Sequence, residues 1–189
     1  MTRDRDPAGR PRNARPRDGL GRPLSRATPG AGQPRIPDDL ILAGHDAARL
    51  ADELLRQGRP FHAHEVLEAS WKSGPRQERD LWQGLAQVAV GLTHAHRGNA
   101  RGAVALLRRG AQRIRAYQAQ AEPSADANHA TAVPARDRDH PYGIDIAGFL
   151  AVSDELAARI ERHGLPGIPA ASLSPRLLRA EPSPGSVGG

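Results

Sequence analysis

The segment FHAHEVLEASW, which begins at Phe61, places ionisable and aromatic side chains on one face of a predicted helix. Phe61, His64, Glu68 and Trp71 recur at helical spacing, so a histidine and a carboxylate lie inside an otherwise apolar sector. His62 is predicted to face outward. An imidazole and a carboxylate one turn apart can form a hydrogen-bonded pair, hold a cation or grip a polar ligand.

A second segment follows closely and supplies amides and another imidazole. Residues 81–93 contain no charged side chain, which is typical of a helix that other helices cover on all sides. At about 100° per residue, Gln83, Gln87 and His94 fall together on one side of this helix. Buried amides need hydrogen-bond partners, so these side chains are expected to meet polar groups of a neighbouring helix.

The two segments are predicted to form an antiparallel hairpin, because a Ser-Gly-Pro turn at residues 73–75 separates them. In that hairpin Glu68 lies opposite Gln83, and His64 lies opposite Gln87. The predicted polar cluster consists of His64, Glu68, Trp71, Gln83, Gln87 and His94.

Three interpretations of this cluster stay open. The first is a structural network, in which carboxylate, imidazole and amides satisfy one another and fix the helix register. The second is a divalent metal ion held by His64, Glu68 and His94, with Glu65 as the general base for a bound water. HEVLE differs from the HExxH zinc helix at Glu68, where that motif has its second histidine. The third is a pocket for a small polar molecule.

The run HEVLEASW, followed by ERDLWQGLAQVAVGLTHAHRGNARGA, resembles the bacterial and archaeal domain-of-unknown-function family 309. That family's pattern runs HEvLE, W, QGliQ, then a histidine followed by RGN and RGA. The resemblance implies a small all-helical bundle with a central helix, and it implies no established activity. Such proteins are often labelled predicted metal-dependent hydrolases, so metal-assisted hydrolysis is the enzyme class that the resemblance implies.

The elements that must position the cluster are predicted to be helices. Apolar residues recur at helical spacing in five segments, and no segment alternates as a strand would. The sequence therefore predicts an all-α domain over residues 37–163, a compact bundle of about five helices around the uncharged central one. Residues 122–141, rich in Ala, Asp, Arg and Pro, are predicted to be a flexible loop within it.

Both ends of the chain are predicted to be disordered, at residues 1–36 and 164–189, because they hold few large apolar side chains. Residues 1–35 contain nine Arg and three Asp, which account for the whole formal charge of +6. The bundle is therefore neutral overall, and the arginines of its fourth helix are expected to meet acids on other helices. Nucleic acid is not an expected partner, except weakly through the N-terminal arm.

Composition limits the remaining partners. The chain has no Cys, which excludes disulfides and thiolate metal sites. No segment approaches the roughly 20 apolar residues of a membrane span, and the N-terminus lacks the apolar core of a secretory signal. We expect a cytoplasmic protein with no membrane partner. Its predicted role is structural, or the binding of a small ligand or protein partner; the alternative is a metal-dependent hydrolase that uses the HEVLE helix.

Overall fold

The computed structural model describes residues 18, 20–22, 24, 36–37, 40–121 and 140–179. These ranges contain the helices α1 Gly44–Arg56, α2 Pro60–Ser73, α3 Arg79–His96, α4 Ala100–Ala121 and α5 Ile146–His163. Short 3-10 turns lie at Arg76–Glu78, Pro141–Gly143 and Ala170–Leu173. No β-strand occurs in the described ranges, where an antiparallel bridge joins Ile144 to Leu178. The all-α prediction is confirmed.

The starts of three helices follow from local chemistry. Pro60 is the first residue of α2, a position where its missing N–H costs no intrahelical bond. Asn99 Oδ1 accepts a hydrogen bond from Gly102 N at the start of α4, and Asp145 Oδ1 accepts one from Gly148 N at the start of α5. These side chains satisfy N–H groups that have no partner within the helix, and so fix where each helix begins.

The helix α3 is central, because α2 and α4 pack on it from two sides, while α1 packs on α2 and α5 packs on α4. The contact between α3 and α4 is close: a Cβ atom on Gly84 would lie 2.9 Å from the Gly110 carbonyl oxygen. Only glycine permits two helix backbones to approach to this distance. The largest fully buried side chains around α3 include Trp82, Leu85, Leu92, Leu107, Ile114 and Phe149.

Three arginines of α4 have acidic partners on other helices, as the neutral charge of the bundle predicted. Arg113 Nη1 lies 2.8 Å from Asp80 Oδ1 of α3. Glu161 and Asp154 of α5 pair with Arg108 and Arg115 in the same way. The described residues contain no helix with the length and apolarity that crossing a membrane would require.

The prediction of a disordered C-terminal tail from residue 164 is wrong for residues 164–179, which pack on the bundle. Leu177 is fully buried, and its backbone N–H donates to Asp52 Oδ1 at 2.7 Å. The same oxygen accepts from Leu178 N at 3.1 Å, and Asp52 Oδ2 accepts from Arg56 Nε at 2.9 Å. A buried aspartate on α1 therefore anchors this segment. The tail has few apolar residues, so the sequence did not predict this anchoring.

Parts of the N-terminal arm are also placed on the bundle. The described arm residues include Leu20 and Gly21, which contact Phe61 and Arg97. The other arm residues lie mostly outside the described part of the chain, as do residues 122–139 of the predicted loop. Disorder of those segments stays a prediction.

Replacing Asp52 with alanine should release the C-terminal segment. The change leaves the N–H of Leu177 without its buried acceptor, so the free energy of unfolding should fall by about 2–3 kcal/mol. Urea denaturation measures the loss, and amide exchange at Leu177 should accelerate. Glu53→Ala is the matched control, because Glu53 is exposed and bonds only to Gln57 in the described part of the chain. Undiminished protection at Leu177 would contradict the anchoring role.

Candidate functional site

Two contacts between arginines and aromatic rings close the seam between α2 and α3 at its ends. The Arg97 guanidinium lies 6.0 Å from the centre of the Phe61 ring, and that of Arg79 lies 5.8 Å from the Trp71 ring. The start of α2 thus meets the end of α3, and the end of α2 meets the start of α3. The antiparallel hairpin predicted from the Ser-Gly-Pro turn is confirmed.

Between these contacts lies a row of half-buried polar and aromatic side chains, which we call the polar seam: His64, Glu68 and Trp71 of α2 with Gln83 and Gln87 of α3. The expectation that α3 is covered on all sides is wrong at these two glutamines, which are half-buried. Both glutamines lie at the edge of the contact between α2 and α3, where neither α2 nor α4 covers them fully. The seam can therefore be reached from outside with small side-chain movements.

Charge in the seam is locally compensated on α2. Glu68 Oε1 lies 3.0 Å from Lys72 Nζ, and Glu68 Oε2 lies 3.7 Å from His64 Nε2. Burial lowers the pKa of His64; the Glu68 carboxylate opposes that shift and the Lys72 ammonium adds to it. The imidazole is therefore neutral at pH 7. Lys72 could have been found from the sequence, since it follows Glu68 by one helical turn.

Several polar atoms of the seam are buried without a hydrogen-bond partner in the described part of the chain: His64 Nδ1, Trp71 Nε1 and Gln87 Oε1. Leaving such an atom unsatisfied costs about 1–3 kcal/mol. The predicted pairing of His64 with Gln87 therefore does not form through these two atoms. Glu68 pairs along its own helix with Lys72, and its Oε2 lies 3.7 Å from His64 Nε2, beyond hydrogen-bond distance. The cluster is therefore not a closed network.

The histidine of the predicted metal site that lies on α3 is engaged elsewhere. His94 Nδ1 lies 2.8 Å from Asn99 Nδ2, which donates to it across the turn between α3 and α4. Glu65, the predicted general base, is half-buried and lies about 100° around α2 from His64. In the described part of the chain, no three His, Asp or Glu side chains form a group that could hold a metal ion. The structure brings together only His64 and Glu68 of the predicted ligands.

The predicted outward orientation of His62 is wrong, because its side chain is buried on the side of α2 where Ala63 and Val66 also lie. Its ring meets the edge of Phe61, with centroids 5.6 Å apart. The neighbouring α1 packs on α2. The spacing of apolar residues did not predict the burial of His62, because histidine is polar and does not contribute to that pattern.

Sequence analysis also missed a carboxylate that joins α3 to the segment before α5. Glu78 Oε2 accepts from the Trp82 indole at 2.9 Å, and Glu78 Oε1 accepts from the Tyr142 hydroxyl at 2.5 Å. Burial and the neighbouring carboxylate raise the pKa of Tyr142, so the hydroxyl stays protonated as a donor. The spacing of Glu78 and Trp82 was a signal, whereas Tyr142 is too distant in sequence to be paired with them. Trp82 thus lies outside the polar seam.

Residues 49–106 match the model of the family described as Domain of unknown function (DUF309). The resemblance to this family is confirmed for this segment. It runs from within α1 into α4 and contains the whole polar seam. Over 61 residues the chain is 43% identical to "Uncharacterized protein YpuF" of Bacillus subtilis (strain 168), and the alignment covers 32% of this chain and 33% of YpuF. The chain thus spans about a third of that relative's length. No solved structure matches the chain significantly.

Two half-buried histidines should make the fold sensitive to mild acid. Burial lowers the pKa values of His64 and His96 below their ordinary 6.5. The unfolded chain therefore takes up protons at a higher pH than the folded chain does, and the free energy of unfolding falls as the pH drops below 6.5, until the folded histidines also titrate. Urea denaturation between pH 7.5 and 5 measures this slope.

The double replacement of His64 and His96 by glutamine should flatten the slope, whatever its effect on stability at pH 7.5. His45→Gln is the matched control, because the side chain of His45 is 64% exposed. A slope that persists undiminished in the double variant would show that other groups determine the acid sensitivity.

Proposed function

We propose that the protein is a binding module whose polar seam takes up a neutral group with both a hydrogen-bond donor and an acceptor, such as the amide of a small molecule or peptide. The observation that supports this is the set of buried, unpartnered atoms His64 Nδ1, Trp71 Nε1 and Gln87 Oε1 in the described part of the chain. An indole N–H can only donate and an amide oxygen can only accept. A single amide carries the complement of both.

The local charges favour a neutral ligand. Lys72 compensates Glu68 at 3.0 Å, and the imidazole of His64 is neutral at pH 7 because burial lowers its pKa. These three residues therefore offer no net charge to a ligand. Entry requires the half-buried Trp71 ring to move, since the unpartnered atoms are themselves buried.

Replacing Gln87 with leucine should separate a binding site from a structural network. If the amide serves a ligand, it costs stability in the free protein, and its removal should raise the free energy of unfolding by about 1 kcal/mol or more. Urea denaturation measures the change. Gln112→Leu, exposed on α4, is the matched control and should stay within about 0.5 kcal/mol of wild type. A loss of stability in Gln87→Leu would favour the structural network.

The same variant should lose ligand binding. N-acetylglycinamide, a small neutral molecule with amide donors and acceptors, is titrated into the protein while the indole N–H resonances are followed by NMR. The Trp71 resonance should shift, whereas that of Trp82, which already donates to Glu78, should stay in place as an internal reference. Gln87→Leu should remove the response. Equal shifts of both indoles, or a response that survives in Gln87→Leu, would contradict the proposal.

Metal-dependent hydrolysis is the alternative, and the 3.7 Å approach of His64 Nε2 to Glu68 Oε2 is the observation in its favour. The group lacks a third ligand in the described part of the chain, so we expect chelator, zinc and manganese to leave the melting temperature unchanged. Thermal melts of the wild type and Glu68→Gln test this. A rise with either ion that Glu68→Gln abolishes would establish the metal site instead.

A further inference from the structure

A short turn of the N-terminal arm lies against the end of the α2–α3 hairpin; we call the described residues Asp18, Leu20, Gly21 and Arg22 the strap. Asp18 Oδ1 accepts from the backbone N–H of Leu20 at 2.9 Å and of Arg22 at 2.7 Å. Gly21 N donates to Asp18 O at 2.9 Å. Because these hydrogen bonds join residues of the strap to one another, they shape the turn without contacts to the bundle.

The strap is bound to the bundle through a backbone carbonyl and a glycine. Arg97 donates from Nε to the Leu20 carbonyl oxygen at 3.0 Å, and its Nη2 donates to the same oxygen. Gly21 is buried against Phe61, where a Cβ atom would lie 2.3 Å from the ring, and its φ of +74° is one that favours glycine. The bundle thus recognises features of a peptide backbone: a carbonyl followed by a residue without a side chain.

The place where the strap binds adjoins the polar seam. The Phe61 ring lies beside that of His64, with centroids 6.3 Å apart and planes at 43°. Arg97 stacks over Phe61 from α3. A peptide that followed the seam towards the start of α2 would therefore meet Phe61 and Arg97, which the strap covers.

We propose that Phe61 and Arg97 form a peptide-binding subsite at one end of the polar seam, and that the chain's own strap fills it as a competing intramolecular cover. The inference rests on the proposed function, and it names the ligand class as a peptide with a glycine after a free backbone carbonyl. The strap must leave before such a peptide binds.

The test uses the full chain and a synthetic peptide of residues 16–24, PRDGLGRPL. Gly21→Val should detach the strap and leave the subsite intact, because a β-branched residue does not tolerate this φ and would collide with Phe61. Gly143→Val is the matched control: Gly143 also has a positive φ, of +77°, and no atom lies nearer than 4.0 Å to its Cβ position. Its neighbour Tyr142 bonds to Glu78 before the start of α3, whereas Arg97 follows the end of that helix. Arg97→Met should detach the strap and also destroy the subsite, with exposed Arg101→Met as its control.

NMR reports whether the strap is bound. The wild type and both control variants should show a nuclear Overhauser effect between Gly21 Hα and the Phe61 ring. Arg97→Met should lose that contact, and in Gly21→Val the Hα of the substituted residue should show no contact with the ring. Absence of the contact in the wild type would overturn the inference.

Peptide affinity reports whether the strap competes. If the strap fills the subsite about nine-tenths of the time, the peptide should bind Gly21→Val about ten-fold more tightly than it binds wild type or Gly143→Val. Arg97→Met should bind it at least ten-fold more weakly than Gly21→Val does. Equal affinity for wild type and Gly21→Val, or no binding to Gly21→Val, overturns the inference.

None of these variants changes Gln87 or Trp71. The peptide-binding subsite and the proposed amide site of the seam are therefore tested independently. Peptide binding to Gly21→Val without any Trp71 response to N-acetylglycinamide would support the subsite and reject the amide site of the seam. A Trp71 response without peptide binding would reject the subsite alone.

Discussion

The close contact of α3 with α4 is the constraint on which the rest of the bundle depends. A Cβ atom on Gly110 would lie 2.7 Å from the Gly84 carbonyl oxygen, and one on Gly91 would lie 3.0 Å from Leu107 N. Each glycine destabilises its helix by about 1 kcal/mol relative to alanine. The close packing of α3 on α4 must therefore stabilise the fold by more than this cost. Because Gly84 and Gly91 lie on the side of α3 that faces α4, they bind the two helices closely and leave the glutamines of α3 at the seam with α2.

The rigidity of this arrangement explains how the seam can hold unsatisfied polar atoms. A loosely packed hairpin would rotate His64, Trp71 and Gln87 into water and recover their hydrogen bonds. Here the Arg79–Trp71 and Arg97–Phe61 contacts fix both ends of the hairpin, and buried Leu67 and Ala86 pack within the core beside it. The seam consequently keeps these atoms unpartnered in the described part of the chain, and under the proposed function a bound amide would supply the missing hydrogen bonds.

Interactions between residues close in sequence predicted much of this fold. Contacts between residues distant in sequence could not be predicted in this way. Helical periodicity predicted the α-helices, because this effect spans only a few residues. The caps that Asn99 and Asp145 provide at two helix starts are equally local. The sequence could also place His64 beside Glu68, one turn away. It could not pair Asp52 with Leu177 or Glu78 with Tyr142, since those bonds are set by tertiary packing. The same limit explains why both glutamines were expected to be enclosed, when the helices cover α3 unevenly.

The two terminal segments are held by similar chemistry but at very different strengths. Asp52 is buried and accepts bonds from two backbone amides beside the fully buried Leu177. A charge-assisted bond contributes about 1.5–3 kcal/mol and a buried leucine about 1.5–3 kcal/mol more. The strap has no buried apolar side chain in the described residues, and its clamp, Arg97, is exposed, where a neutral-acceptor bond contributes about 1 kcal/mol. The C-terminal segment is therefore part of the fold, whereas the strap is held more weakly, as the proposed exchange with another peptide requires.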